Sequence, residues 1–108
     1  MAVSRDELPE QLLTDIKLDE GITWNDEATE AKLRRLIASG MIYLNKKLGE
    51  EADYEIDGDP RTLLFEYVRY ARDAALDVFE NNYRSLILSM QNSRQVKVYV
   101  ESTEQAEE

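Results

Sequence analysis

Apolar residues recur at helical spacing along most of the chain, and they predict three helices with a short fourth one behind them. The first helix is expected over residues 9–18 and the second over residues 26–48. The third and longest is expected over residues 60–82, and the fourth within residues 83–91. Each has an apolar face that can turn toward a shared core. The pattern therefore predicts an all-α fold, a small bundle of three to four helices around a long central helix.

Polar residues and glycines mark where these helices begin and end. Gly21 and Gly49 follow apolar runs and are expected to terminate the first two helices, because glycine tolerates the left-handed backbone of a C-terminal cap. Asn25 precedes two acidic residues and is expected to cap the second helix. Asp59 and Pro60 suit the start of the third helix, since aspartate can cap and proline fits the first turn.

The predicted central helix, residues 60–82, has more apolar surface than one buried face requires. At about 100° per residue, its apolar positions cover roughly two thirds of the circumference, and charged residues fill the remainder. These positions are Leu63, Leu64, Phe65, Tyr67, Val68, Tyr70, Ala71, Ala74, Ala75, Leu76, Val78 and Phe79. The second helix carries Gly40 in its own apolar face, where a missing side chain lets another helix approach closely at a propensity cost of about 1 kcal/mol. The central helix must be covered on several sides, and its leftover apolar surface indicates protein–protein assembly.

The pattern changes near the C-terminus. Asn81 and Asn82 are expected to interrupt the helix, and from residue 95 the apolar period becomes two, with valines at 96, 98 and 100 on one side. A single strand has no partner in an otherwise helical chain. We therefore expect a helical domain over residues 1–93, and over residues 94–108 an extended arm with an acidic tail that is flexible when free and pairs only in an assembly.

Composition restricts the functions that the chain can have. Its 108 residues leave room for one domain with a modest core. It contains no cysteine and no histidine, which removes thiolate chemistry, the commonest general base and the commonest transition-metal ligand. No apolar run approaches the roughly 20 residues of a membrane span, and the start of the chain lacks the apolar region of a signal peptide. We expect a protein of a cytoplasm-like compartment that is not an enzyme, holds no metal or cofactor and contacts no membrane.

An acidic segment offers the main candidate for metal binding. Asp53, Glu55, Asp57 and Gly58 resemble the opening of a calcium loop, but Leu64 stands where the loop needs its bidentate glutamate. A solvated loop followed by a helix cap is the better interpretation. Carboxylate pairs for acid–base chemistry could also be drawn from Asp19, Glu20, Asp26 and Glu27, but these residues crowd two helix ends, where acidic residues serve as caps.

Several side chains are candidates for contacts with other subunits. Arg72 falls between two phenylalanines on the predicted helical wheel, so it must reach solvent, form an internal ion pair, or contact a neighbouring subunit. Ile42 lies opposite the main apolar face of the second helix, beside Arg35, and is either an ordinary exposed isoleucine or an interface anchor. Trp24 is interpreted as a lid on the local core in preference to a platform for a ligand. With the C-terminal arm, the candidate contacts are Arg35, Ile42, Arg72, Val96, Val98, Tyr99 and Val100.

Three parts of the chain together resemble a known family. They are the I-T-W-x-D-E entry at residues 22–27, the second helix with Ile37, Gly40 and Leu44, and the stretch LLFEYVRYARDAALDVFENNY at residues 63–83. In this order they are similar to the head–tail connector proteins of tailed bacteriophages and prophages, small helical adaptors of the head completion apparatus. The resemblance covers residues 12–91.

The resemblance implies a structural subunit of the virion, located at the head–tail interface and in the bacterial cytoplasm during assembly. It implies a homo-oligomeric ring, in the family usually a dodecamer, beneath the portal protein. Such a ring extends the DNA channel, lets DNA pass without specific binding, and provides a platform for a stopper or tail completion protein. The C-terminal arm is then the expected contact with the portal or a neighbouring copy.

A different interpretation rests on charge. The chain has a formal net charge of −10, which disfavours nonspecific binding of nucleic acid and suits an acidic regulatory or inhibitory protein that mimics DNA. That class needs carboxylates over a continuous face, whereas here they cluster at caps, in a loop and in the tail. The connector interpretation is the better fit.

Overall fold

The computed structural model describes the backbone of residues 3–24 and 26–107, with side chains described as far as Lys97 apart from that of Asp6. A 3₁₀ helix at Arg5–Glu7 precedes four α-helices: α1 at Glu10–Asp19, α2 at Glu27–Leu48, α3 at Asp59–Arg72 and α4 at Leu76–Glu107. No strand occurs in the described ranges. The predicted all-α fold is therefore confirmed.

Local capping sets the limits of α2. The carboxylate of Asp26 accepts hydrogen bonds from the backbone N–H of Thr29 at 3.3 Å and from its hydroxyl at 2.8 Å. These bonds lower the pKa of Asp26 because they stabilise its charged form. The predicted cap, Asn25, lies outside the described residues. At the other end Gly49 has φ 75°, and its N–H bonds to the carbonyl of Asn45, so the predicted termination of α2 is confirmed.

The core joins buried side chains of all four α-helices, with α3 packed against both α2 and α4. Leu12, Leu13 and Ile16 of α1 are buried, and Gly40 of α2 lies directly against α3. A Cβ atom at Gly40 would come within 2.8 Å of Leu64 Cδ1, which is closer than van der Waals contact allows. The predicted close approach of a helix at Gly40 is therefore confirmed, and α3 is the helix that approaches.

The expected continuous helix over residues 60–82 is wrong, because the chain reverses between Arg72 and Leu76. Ala74 takes a left-handed backbone with φ 55°, and the N–H of Ala75 bonds to the carbonyl of Tyr70 at 2.8 Å. This is the hydrogen bond that closes a helix with a left-handed cap. The position lacks the usual glycine, so the sequence gives little sign of the turn.

The turn brings the first half of α4 back onto α3, and an aromatic cluster forms there. Phe79 is fully buried, with its ring centroid 5.6 Å from that of Tyr67 and 5.2 Å from that of Tyr83. Burying a phenylalanine contributes about 1.5–3 kcal/mol, which exceeds the roughly 1–2 kcal/mol that a left-handed alanine costs. Most of the apolar surface expected to be left over on a long central helix is thus covered within the same chain.

Two further expectations near the C-terminus are wrong. Asn81 and Asn82 do not interrupt the helix, and Val96, expected in an extended segment, is helical. The chain has no glycine or proline after Pro60, so nothing stops α4 once it has begun. A helix also satisfies its own backbone hydrogen bonds, whereas a single strand would leave them unpaired. The backbone of α4 therefore continues past residue 94, where the extended arm was predicted to begin, and ends at Glu107.

A buried asparagine fixes the acidic segment that joins α2 to α3. Asn45 is 5% exposed, and its Oδ1 accepts hydrogen bonds from the Tyr54 hydroxyl at 2.7 Å and from the Ala52 N–H at 3.1 Å. Tyr54 is itself buried, and burial raises its pKa to about 12. Tyr54 is thus an apolar anchor of this segment, as expected, whereas its predicted companion Ile56 is 62% exposed.

Candidate interaction surfaces

Arg72, a predicted contact residue, forms an internal ion pair. Its Nη1 lies 3.0 Å from Oε2 of Glu20, whose side chain is only 9% exposed, so the pair joins the end of α3 to the end of α1. Burial raises the pKa of Glu20, and the hydrogen bond from Arg72 opposes that shift. The other carboxylate oxygen of Glu20 is buried without a hydrogen-bond partner. Of the alternatives weighed for Arg72, the internal ion pair is therefore present.

The remaining predicted contact residues do not form one cluster in the described part of the chain. Arg35 and Ile42 are exposed on α2, and Val96 is 63% exposed on α4. The side chains of Val98, Tyr99 and Val100 lie outside the described residues. Their role in contacts stays a prediction.

Exposed apolar side chains mark a different set of positions. Among the described residues, eight large apolar side chains are at least 36% exposed. They are Leu18, Trp24, Ile42, Ile56, Leu76, Val78, Leu88 and Val96. Trp24, interpreted as a lid, is 51% exposed and lines a shallow cavity together with Ile22 and Arg72.

Leu88 is the centre of one continuous surface, which we call the Leu88 surface and define as Lys47, Arg84, Leu88, Asn92 and Val96. On one side, Leu88 borders a groove shared with Asn92 and Val96, and on the other a groove shared with Lys47 and Arg84. Leu88 is 51% exposed between them. The surface thus combines two exposed apolar side chains with two cationic ones.

The charge of this surface follows from an uneven distribution along the chain. Residues 81–100 contain Arg84, Arg94 and Lys97 and no acidic residue. Removing these three positive charges from the net −10 leaves −13 for the rest of the chain. Glu80 also borders the Leu88 surface and places one carboxylate beside its two cations, where it accepts a hydrogen bond from the hydroxyl of Tyr43 at 3.2 Å. Arg94 pairs with Glu50 at 3.5 Å, so Arg84 and Lys97 carry the positive charge of this part of α4 on an otherwise acidic protein.

A groove of opposite character lies where α1 ends and α3 begins. We call it the acidic groove and define it as Asp19, Asp57 and Glu66, with the exposed neighbours Leu18 and Ile56. The three carboxylates line one groove, and the two apolar side chains, 71% and 62% exposed, directly precede Asp19 and Asp57 in the chain.

Arg61 is a cation that lines the acidic groove, and it already has partners within the chain. The guanidinium of Arg61 lines the groove, but its Nη2 lies 2.7 Å from the Asp15 carboxylate and its Nη1 donates to the Tyr54 carbonyl at 3.1 Å. The hydrogen bond from Arg61 lowers the pKa of Asp15. Glu66 in turn pairs with Arg69 at 3.6 Å. Because Arg61 and Arg69 are held by these partners, Asp19 and Asp57 leave the groove with a negative balance of charge.

The candidate calcium loop has local roles in the fold. Oδ1 of Asp53 accepts the N–H of Glu55 at 2.9 Å, and Asp57 lies 3.8 Å from Arg61. Among the described residues, no group of three or more acidic side chains is arranged to hold a metal ion. These contacts fit a structured acidic turn ahead of α3.

Sequence reasoning missed Leu88, Lys47 and Arg84 as surface residues. A signal was present in the inward spacing of Leu86, Ile87 and Met90, which leaves Leu88 on the opposite side of the helix. The acid-free run at 81–100 was a second signal. Leu18 could also have been found, because it follows three inward-facing apolar residues on α1 but lies off their face.

The chain was compared with protein families, curated proteins and solved structures, and none of these comparisons finds a match. Within the described residues, no helix is both long enough and apolar enough to cross a membrane.

Proposed function

We propose that this chain is a structural adaptor subunit that assembles with copies of itself beneath the portal of a tailed bacteriophage. Its ring extends the DNA channel and provides a docking platform for a stopper or tail completion protein. The proposal rests on the resemblance of residues 12–91 to head–tail connectors. The observation that carries it further is the exposure of Leu88 and Val96 on α4 beside cationic side chains.

The physical argument is that exposed apolar residues with complementary charge are suited to contacts between proteins. Leu88 and Val96 are eight residues apart on one helix, so they lie on neighbouring parts of one surface. Covering such a surface removes apolar area from water, and Arg84 and Lys47 set which partner can approach. No set of nucleophile, base and orienting group emerges from the described side chains, and an adaptor needs none.

The alternative, an acidic protein that mimics DNA, is less well supported. Such a mimic needs free carboxylates over a continuous face, and several carboxylates here are used internally. Asp15 pairs with Arg61 at 2.7 Å, Glu10 with Arg34 at 2.9 Å and Glu20 with Arg72 at 3.0 Å. The acid-free part of α4 also interrupts the acidic surface.

A docking experiment tests the proposal. DNA-filled heads that carry the portal protein of the same virus are incubated with the purified chain, separated from free protein by sedimentation, and assayed for bound chain. We expect stable binding, and we expect Val96→Asp to weaken it roughly tenfold or more, since a buried unpaired carboxylate costs at least about 1.4 kcal/mol. Gln95→Asp, at the neighbouring exposed position, is the control for added charge. Heads that bind no wild-type chain would refute the adaptor function.

A further inference from the structure

We propose that the Leu88 surface of one copy docks into the acidic groove of a second copy, so that copies join head to tail. This interface rests on the proposed ring and names the two surfaces that form it. The two sets of residues share no member, so each copy can use both at once. An interface between two different surfaces can repeat from copy to copy. The assembly closes into a ring when the rotation between successive copies adds up to a full turn.

Charge complementarity identifies the partner surface. The Leu88 surface presents Lys47 and Arg84 beside the single carboxylate of Glu80. The acidic groove presents Asp19 and Asp57, together with Glu66, which pairs with Arg69 at 3.6 Å. Asp57 is fully exposed, so it can approach a cation on another molecule without leaving a strong partner of its own. Complementary charge of this kind steers association and fixes its register.

The apolar side chains fit the same pairing. Leu88 and Val96 are 51% and 63% exposed, and Leu18 and Ile56 beside the acidic groove are 71% and 62% exposed. Each surface therefore places two exposed apolar side chains next to charged groups among which one sign predominates. Docking would bury the apolar atoms of both surfaces and leave their charges paired at the rim.

Pairing of α4 with α4 of a second copy is disfavoured by the same charges. Residues 81–100 carry only cations, so two such helices packed face to face would bring like charges together. Arg84 lies one turn before Leu88, so in many such arrangements it would approach Arg84 of the second copy. An acidic partner surface avoids that repulsion.

Cysteine cross-linking tests the interface directly, because the chain contains no cysteine of its own. Asn92→Cys labels the Leu88 surface and Thr62→Cys labels the acidic groove, and both substitutions leave the four apolar side chains intact. The two variants, one carrying a tag that changes its mass, are mixed and treated with a short bis-maleimide. Ala28→Cys, exposed at the start of α2 and outside both surfaces, replaces Thr62→Cys in the control mixture.

We expect the mixture of Asn92→Cys and Thr62→Cys to give at least about ten times more cross-linked heterodimer than the control mixture of Asn92→Cys and Ala28→Cys. Arg84→Glu in the Asn92→Cys copy should lower that yield several-fold. Asp57→Lys in the Thr62→Cys copy should restore it, since the reversed pair again has opposite signs. A higher salt concentration should lower the cross-linking yield of the Asn92→Cys and Thr62→Cys pair that carries no charge reversal.

Three results would overturn the assignment: equal yields with Thr62→Cys and Ala28→Cys, cross-linking of Asn92→Cys only to itself, or no rescue by the reversed charge pair. Its failure can be distinguished from failure of the proposed function. Rings on portal-bearing heads without the Asn92–Thr62 cross-link would refute this interface and retain the adaptor. The cross-link without any binding to heads would retain the interface and refute the adaptor.

Discussion

The hydrogen bonds of Asn45 allow a quantitative test of how the segment between α2 and α3 is held. In Asn45→Ala, the buried Tyr54 hydroxyl and the partly buried Ala52 N–H both lose their acceptor. A buried donor without a partner costs about 1–3 kcal/mol, and the gain in helix propensity on replacing asparagine by alanine offsets about 0.5 kcal/mol. The two donors together cost about 2–6 kcal/mol, so we expect a net loss of about 1.5–5.5 kcal/mol in the free energy of unfolding.

Tyr54→Phe should cost far less. Without the hydroxyl, Oδ1 of Asn45 still accepts the Ala52 N–H, so no buried group is left without a partner. The expected loss is about 1 kcal/mol, the net value of one hydrogen bond. In the Asn45→Ala background the same change removes a buried hydroxyl that has no partner, so it should cost nothing or restore stability.

The assay is urea unfolding followed by far-UV circular dichroism, for the wild type, both single variants and the double variant. The double-mutant cycle should give a coupling energy of about 1–3 kcal/mol between Asn45 and Tyr54. Equal m-values across the four proteins are the control that the same amount of surface is exposed in each. A cost of Tyr54→Phe that is the same in both backgrounds would show that the two side chains act independently, and the reasoning would be refuted.

Three further predictions concern the turn after α3, the buried ion pair and alkaline pH. Ala74→Gly should stabilise the protein by about 1 kcal/mol, because glycine adopts φ 55° without strain, whereas Ala31→Gly in the interior of α2 should destabilise it by a similar amount; urea midpoints check both. Arg72→Met should cost about 3 kcal/mol at neutral pH because it leaves Glu20 buried and unpaired, while Glu20→Gln should change stability by less than about 1 kcal/mol. The loss in Arg72→Met should shrink as the pH falls and Glu20 becomes protonated, and an unchanged loss in acid would contradict this account. Above pH 10 the unfolded chain ionises Tyr54 while the folded chain keeps its proton up to about pH 12, so stability should fall across that range, and it should fall less in Tyr54→Phe.

The elements that the sequence predicted well are those with strong local signals. Gly49 closes α2 because a left-handed residue is needed there, and Gly40 is small because α3 lies against it. The apolar positions of α1 and α2 follow helical spacing and face the core. In these elements propensity, capping and burial agree, so the sequence pattern was sufficient.

The turn at Ala74 shows where local signals fail. Residues 60–82 are apolar at helical spacing throughout, and an alanine marks the reversal. Packing of Phe79 on Tyr67 and of Tyr83 on Tyr70 decides the turn, and these contacts are visible only in three dimensions. The same limit applied to Val96, where alternating valines predicted a strand although no glycine or proline stops the preceding helix.

The candidate surfaces were predicted only in part for a related reason. Sequence spacing identified Ile42 as an exposed apolar residue, and it is 41% exposed. Leu88 and Lys47 come together only because α2 and α4 pack side by side. Arg72 was recognised as unusual, but its partner Glu20 lies 52 residues away in the chain and could not be inferred from spacing.

Electron cryomicroscopy of portal-bearing heads incubated with the chain tests the central claim most directly. The account predicts a closed ring of copies beneath the portal, with Leu88 of each copy covered by a neighbouring molecule. Heads that show no added ring, or a ring in which Leu88 and Val96 face solvent in every copy, would contradict it.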